Sequence, residues 1–269
     1  MIDAHVHIRR LGANGCTWPT AALPGIHREF SLDDLRASEG AGETDRVILV
    51  QSQEAPADTH WLLSIADADT LVGGVVGWAD LTAVDAATRI AELARLPKLC
   101  GLRPMVQDQP ADWFDDPALD PALAAMAESG LVLDALVRPR HLPALTRLAR
   151  RHPRLRIVVD HAAKPDFDDL GRWSEDMAAL AGCPGTWCKL SGLPTELAPH
   201  HERQRIADVI AQLWSMFGAE RLIWGSDWPV VTLTDSYAGS LDEVRTLVPA
   251  SAQPAVFSGN AKHAYGVAA

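Results

Sequence analysis

His5 and His7, in Ile2-Asp3-Ala4-His5-Val6-His7-Ile8, stand one residue apart at the end of the first strand-like run of the chain. Side chains at i and i+2 of a strand leave the same face, so the two imidazoles can converge on one small volume. Neutral imidazole ligates metals and carries protons, so the pair points to a metal or acid/base site. Far along the chain, Asp227 in Trp224-Gly225-Ser226-Asp227 supplies a carboxylate that could complete either. A lone His-x-His also fits a sheet edge with one ring packed and the other wet, so the surrounding pattern has to discriminate.

Eight short runs rich in Val, Ile, Leu and Trp recur at residues 2–8, 46–52, 71–78, 99–105, 131–137, 156–162, 186–191 and 222–228. The long intervals between them leave room for a helix after most strands, and crossovers of that length imply parallel pairing. Helical periods fill several intervals: Val84, Ala87, Ile90, Leu93 and Ala94, then Leu142, Leu145, Leu148 and Ala149, then Ile206, Val209, Ile210, Leu213, Met216 and Phe217. Ser31 ahead of Asp33 and Asp34 reads as a helix start, and Gly130 as a helix stop. With 269 residues the chain suits one α/β barrel, a fold of about 250 residues. A doubly wound sheet would carry a glycine-rich phosphate loop after an early strand, whereas Gly40 and Gly42 precede one. No linker or repeat divides the chain, so residues 1–269 read as a single domain.

In such a barrel the site lies at the C-terminal strand ends. His5 and His7 end the first run, Gln51 the second, Arg103 the fourth, His161 the sixth and Asp227 the eighth. Alternation puts Leu49 with Gln51, Ile157 and Val159 with His161, and Ile223 and Gly225 with Asp227, so one central cavity could receive these polar groups if no bulge intervenes. Trp78 and Trp228 fall at strand ends where they could wall a pocket for substrate. His60, His200 and His201 read as packing or solvated residues, and Lys164 and Lys189 as ion-pair partners or substrate contacts.

A net charge of −11 argues against nucleic acid or an anionic membrane surface as partner. Four cysteines without a Cys-x-x-Cys pair suit a reducing compartment, and no apolar run reaches membrane-spanning length; the cytoplasm is the expected location.

Five segments add specificity: Asp3-Ala4-His5-Val6-His7, Gly74-Val75-Val76-Gly77-Trp78-Ala79-Asp80-Leu81, Asp160-His161-Ala162-Ala163-Lys164-Pro165, Cys188-Lys189-Leu190-Ser191-Gly192 and Trp224-Gly225-Ser226-Asp227-Trp228-Pro229. In this order they resemble the amidohydrolase superfamily, of the amidohydrolase 2 type, in its sugar-lactone hydrolase branch. That branch includes L-fuconolactonases, L-rhamnonolactonases and 2-pyrone-4,6-dicarboxylate lactonases. The resemblance implies a single distorted (β/α)8 TIM barrel that opens a lactone, most readily a sugar-acid lactone, with an activated water. It matches His5, His7 and Asp227 to a site for one divalent ion, zinc for preference, or for none. Asp227 and His161 take the catalytic roles, and Arg103 binds substrate. Two departures put the substrate in question: Ile8 and Arg9 stand where an aromatic pair is common, and Pro104 where a histidine often follows the arginine. Arg9, with Arg103, would suit a carboxylated or sulfonated lactone. The remaining alternatives are a metal-dependent decarboxylase of the same superfamily and a noncatalytic sugar-acid binding protein. The expected partner is a small-molecule lactone, with self-association left open.

Overall fold

All eight apolar runs form strands in the computed structural model, which describes residues 1–268. They are β1 (Ile2–Val6), β2 (Arg46–Val50), β3 (Val72–Gly77), β4 (Leu99–Leu102), β5 (Val132–Ala135), β6 (Ile157–Val159), β7 (Thr186–Leu190) and β8 (Leu222–Trp224). The strands pair in parallel in chain order. β8 returns to β1 through a parallel bridge between Val6 and Trp228, where His7 N–H donates to Trp228 O at 2.8 Å and Asp227 N–H to His5 O at 3.0 Å. A nearly closed (β/α)8 barrel results, the TIM architecture the sequence implies.

Around the barrel lie α1 (Leu32–Arg36), α2 (Pro56–Ala68), α3 (Ala86–Leu93), α4 (Asp120–Ser129), α5 (Leu142–Arg151), α6 (Leu170–Ala181), α7 (Leu193–Glu196), α8 (Gln204–Phe217), α9 (Tyr237–Leu247) and α10 (Asn260–Tyr265). Ser31 caps α1 reciprocally: its Oγ accepts from Asp34 N–H, and the Asp34 carboxylate accepts from Ser31 N–H. Gly130, at φ +71°, ends α4. The stripes of α5 and α8 are buried as their periods require, except that Met216 is only half-buried. α3 starts only at Ala86, so Val84 falls outside the helix and is exposed rather than part of its apolar stripe.

Two apolar clusters divide the side chains of the strands. Ile48, Val50, Val132, Val158, Trp187 and Ile223 face the barrel interior, where Ala261, Ala264 and Tyr265 of α10 join them. Leu49, Ile157 and Val159 instead pack among the residues that cover the barrel from outside. Strict alternation therefore runs opposite to the expectation for β2 and β6, and would turn His161 outward. The backbone corrects this after β6 ends. His161, Ala162, Ala163 and Lys164 have φ of 51°, 51°, 60° and 52°, a left-handed turn in which strand alternation no longer applies. Asp227, at φ 58°, likewise lies beyond the end of β8.

Candidate active site

His5 and His7 converge as their spacing requires, with Nε2 atoms 3.2 Å apart. A shift in the β1–β2 register between Asp3 and Val6 accompanies this presentation. The Asp3 carboxylate accepts backbone N–H groups from His5 and Ser226, at 3.1 and 2.9 Å, and so ties β1 to the segment carrying Asp227. Asp227 Oδ1 lies 3.4 Å from His7 Nε2 and 3.7 Å from His5 Nε2. His161 joins from the left-handed turn, its ring centroid 4.5 Å from that of His5 and its Nδ1 2.9 Å from Ser191 Oγ.

Gly192 makes this crowding possible. A methyl group there would lie 2.5 Å from His161 Nδ1 and 3.2 Å from Asp227 Oδ2, and φ is +64°. Burial lowers the basicity of His5, His7 and His161, so all three are neutral at pH 7. Burial alone would raise the Asp227 carboxyl, but in the acidic range where the rings take up protons His161, His7 and His5 outweigh it and hold it well below the usual carboxylate range. A charged carboxylate thus faces neutral rings.

The three ligand atoms suit a divalent ion. Nitrogens and oxygens at roughly 2.0–2.2 Å from a tetrahedral ion lie about 3.4 Å from one another, and here the separations are 3.2, 3.4 and 3.7 Å. The second ring nitrogen of His7 is engaged by Val50 O at 2.7 Å, which fixes the proton on Nδ1 and leaves Nε2 bare. His161 groups instead with His5 and Asp160.

Arg103 and Gln51 lock each other in place. Gln51 Nε2 donates to Arg103 O at 2.7 Å, and Arg103 Nη2 donates to Gln51 O. Arg103 Nη1 lies 3.2 Å from Asp160 Oδ2 and 3.4 Å from His5 Nε2, which places the guanidinium at the edge of the histidine cluster. Arg9 is buried, with its guanidinium 5.0 Å from the Trp18 ring and 5.3 Å from the Phe30 ring; Nη1 donates to Ile26 O, while Nε and Nη2 have no protein partner. Trp228 meets Phe30 edge to face at 5.2 Å, so it belongs to the same wall. Trp78 does not join them. It lines a cleft of about 550 Å³ with Thr59, His60 and Leu93, between α2 and α3. Of the histidines set aside, His201 pairs with Asp168 at 2.8 Å, away from the cluster.

Beneath the cluster lies a charged layer of which the sequence reading named only Lys189, as an ion-pair partner or substrate contact. Lys189 is fully buried, 2.6 Å from Asp134 Oδ2 and 2.9 Å from Asp160 Oδ1, and its Nζ lies 3.1 Å from His5 Nδ1. The signal was available: Asp134, Asp160 and Lys189 each follow by two residues an inward apolar residue, Val132, Val158 and Trp187.

A (β/α)8 barrel with a His-x-His pair on β1 and an aspartate beyond β8, all at the C-terminal face, defines a hydrolase of the amidohydrolase class. The chain belongs to that family: the profile described as Amidohydrolase matches residues 2–267. It is 45% identical over 278 aligned positions, covering 99% of this chain and 95% of the relative, to an L-fucono-1,5-lactonase of Burkholderia ambifaria. A second L-fucono-1,5-lactonase, from Burkholderia multivorans, is 34% identical and spans 99% of this chain and 96% of its own length. Among solved structures, an amidohydrolase from Burkholderia multivorans determined with bound zinc superimposes with a TM-score of 0.92 at 32% identity, covering 99% of both chains.

Proposed function

We propose that residues 1–269 act as one barrel domain that hydrolyses a sugar-acid 1,5-lactone to the open hydroxy acid, with Asp227 as the central acid/base group. The observation that carries this reading is the convergence of Asp227 with His5 and His7 in a chain 45% identical to an L-fucono-1,5-lactonase. Water adds to the lactone carbonyl carbon, its proton passes to Asp227, the bond to the ring oxygen breaks, and Asp227 returns the proton to that oxygen. His161, oriented by Ser191 Oγ, donates from its other ring nitrogen to the carbonyl oxygen as negative charge develops. Arg103, fixed by Gln51 and Asp160, orients the substrate against the cluster.

His5, His7 and Asp227 would hold one divalent ion, zinc for preference, as in the zinc-bound Burkholderia multivorans relative. Such an ion would supply Lewis acidity and lower the pKa of water, easing transfer of its proton to Asp227.

Arg9 supports a second reading. Its buried guanidinium, with Nε and Nη2 unpaired, would take a carboxylated lactone as readily as ring hydroxyls, with Trp228 and Phe30 as the apolar wall. Acid release from a panel of neutral sugar 1,5-lactones and carboxylated lactones separates the two. Turnover of the neutral sugars is expected. Turnover confined to anionic lactones would replace the first reading by the second, and hydrolysis of neither would refute both.

A further inference from the structure

The stretch from Arg9 to Phe30 begins two residues after His7 and closes on itself: Arg9 N–H donates to Phe30 O at 3.0 Å and Phe30 N–H to Arg9 O at 3.2 Å. Among the described residues, every hydrogen bond that residues 11–27 make outside this loop goes to one side chain, Gln53, in the segment between β2 and α2. Gln53 Oε1 accepts from Thr17 N–H at 2.8 Å and Trp18 N–H at 3.2 Å, while Nε2 donates to Trp18 O at 2.6 Å and Ser52 Oγ at 2.9 Å. A side-chain amide has two acceptor sites and two donor protons, so the buried Gln53 is saturated, with most of its bonds going to the loop. Gly15 fits the same seat closely, since a methyl group there would lie 2.6 Å from Ala55 Cβ. Seated in this way, Trp18 carries its ring 5.0 Å from the Arg9 guanidinium, which lies 5.3 Å from Phe30, and Phe30 meets Trp228, the neighbour of Asp227. One wall therefore runs from Asp227 to the loop, and Gln53 sets its far end.

We propose that Gln53 is a positioning residue for substrate binding: its amide seats the 9–30 loop so that Trp18 and Arg9 extend the wall that Trp228 and Phe30 begin beside Asp227, and the lactone binds to that seated form. This rests on the lactonase reading above and on the wall facing the substrate. A loop tied down by one side chain opens by local unfolding more readily than the barrel does. Each hydrogen bond lost shifts its seating equilibrium by roughly fivefold, and affinity falls with the fraction of molecules still seated. The reacting groups are anchored elsewhere: Asp3 holds the segment carrying Asp227, and Ser191 holds His161. Once bound, the substrate therefore reacts at the native rate, and the loss falls on KM.

The test is Gln53→Met, which keeps the length and apolar stem of the side chain and removes its hydrogen bonds. KM for L-fucono-1,5-lactone should rise about fivefold or more, while kcat stays within about threefold of native. Hydrogen exchange reads the seat itself: the Thr17 and Trp18 amides should be protected in the native protein and exchange about fivefold faster or more in the variant. In the native protein, L-fuconate at about ten times its inhibition constant should slow both amides about tenfold further, because only the seated form binds it, and this arm stands even if the variant fails to fold. A folded variant whose KM rises by less than about fivefold, or whose loss falls mainly on kcat, overturns the proposal. So do native amides that exchange freely, or that L-fuconate leaves unchanged. If the native protein hydrolyses no lactone, the lactonase reading and the substrate half of the proposal fail together, while exchange in the two proteins still decides whether Gln53 seats the loop.

Discussion

Each functional side chain of the cluster is crowded, and Gly192 is the residue that permits it. Gly192→Ala forces a methyl against His161 Nδ1 and Asp227 Oδ2 and strains a backbone at φ +64°. Displacements approaching 1 Å cost about 10²-fold in rate, so kcat/KM should fall by roughly that factor while the circular dichroism spectrum stays native. A variant within a few-fold of native activity would show that His161 and Asp227 need not be so closely placed. The convergence of His5 and His7 was legible from their spacing, since i and i+2 share a strand face, but choosing a site over a sheet edge took the surrounding motifs. Lys189 was read as an ion-pair partner or substrate contact and is ion-paired, but Asp134 and Asp160 were not singled out, although each occupies an inward position.

Among the elements, the left-handed turn after β6 governs how His161 reaches the site. Four successive non-glycine residues at φ 51–60° are costly, since each pays about 1–2 kcal/mol against the right-handed form. Ala163→Gly relieves one such strain and loses one buried methyl worth about 0.8 kcal/mol, so its stability should stay within about 1 kcal/mol of native. Ala163→Val adds a β-branched side chain at φ 60° to a fully buried position and should cost about 2–4 kcal/mol in urea unfolding. Equal losses for the two variants would show that backbone strain is not what the turn stores. The turn also explains why alternation misled. The strands themselves were legible as β-branched apolar runs, but β6 stops at Val159 and β8 at Trp224, so the direction of His161 and Asp227 is set by loop dihedrals that no period encodes. Trp78 lines a separate cleft for a related reason: standing at a strand end does not settle which cleft a side chain enters.

For the molecule as a whole, two sets of buried groups respond to pH with opposite sign. Burial holds His5, His7 and His161 below the ordinary 6.5 in the folded protein. As pH falls through that value the unfolded chain takes up protons that the folded one refuses, and stability drops. Burial also raises Asp3, Asp58 and Asp134 from 3.8 to about 6, so between those values the folded chain keeps protons that the unfolded one releases, and stability rises as pH falls. Three groups oppose three, and the midpoint of thermal unfolding of metal-free protein should vary little from about pH 6.5 to about pH 4.5. Below about pH 4 it should fall, because Asp160 and Asp227 stay charged in the fold after the unfolded chain has protonated. A steep loss already between about pH 6.5 and 5 would mean that the histidines act without this offset. The barrel and its parallel order were legible from the eight runs and their spacing. Its closure by α10 was not, because Ala261, Ala264 and Tyr265 form too short a stripe to announce a plug.

Asp227 is the residue on which the lactonase account turns, and the most direct test is the rate of acid release from L-fucono-1,5-lactone by native protein and Asp227→Asn, each corrected for spontaneous opening. The account predicts rapid hydrolysis by the native protein and a loss of roughly 10²–10⁴-fold or more in the variant, with an unchanged circular dichroism spectrum. A folded variant within about tenfold of native turnover would contradict it, because a general acid/base group cannot be removed at so small a cost.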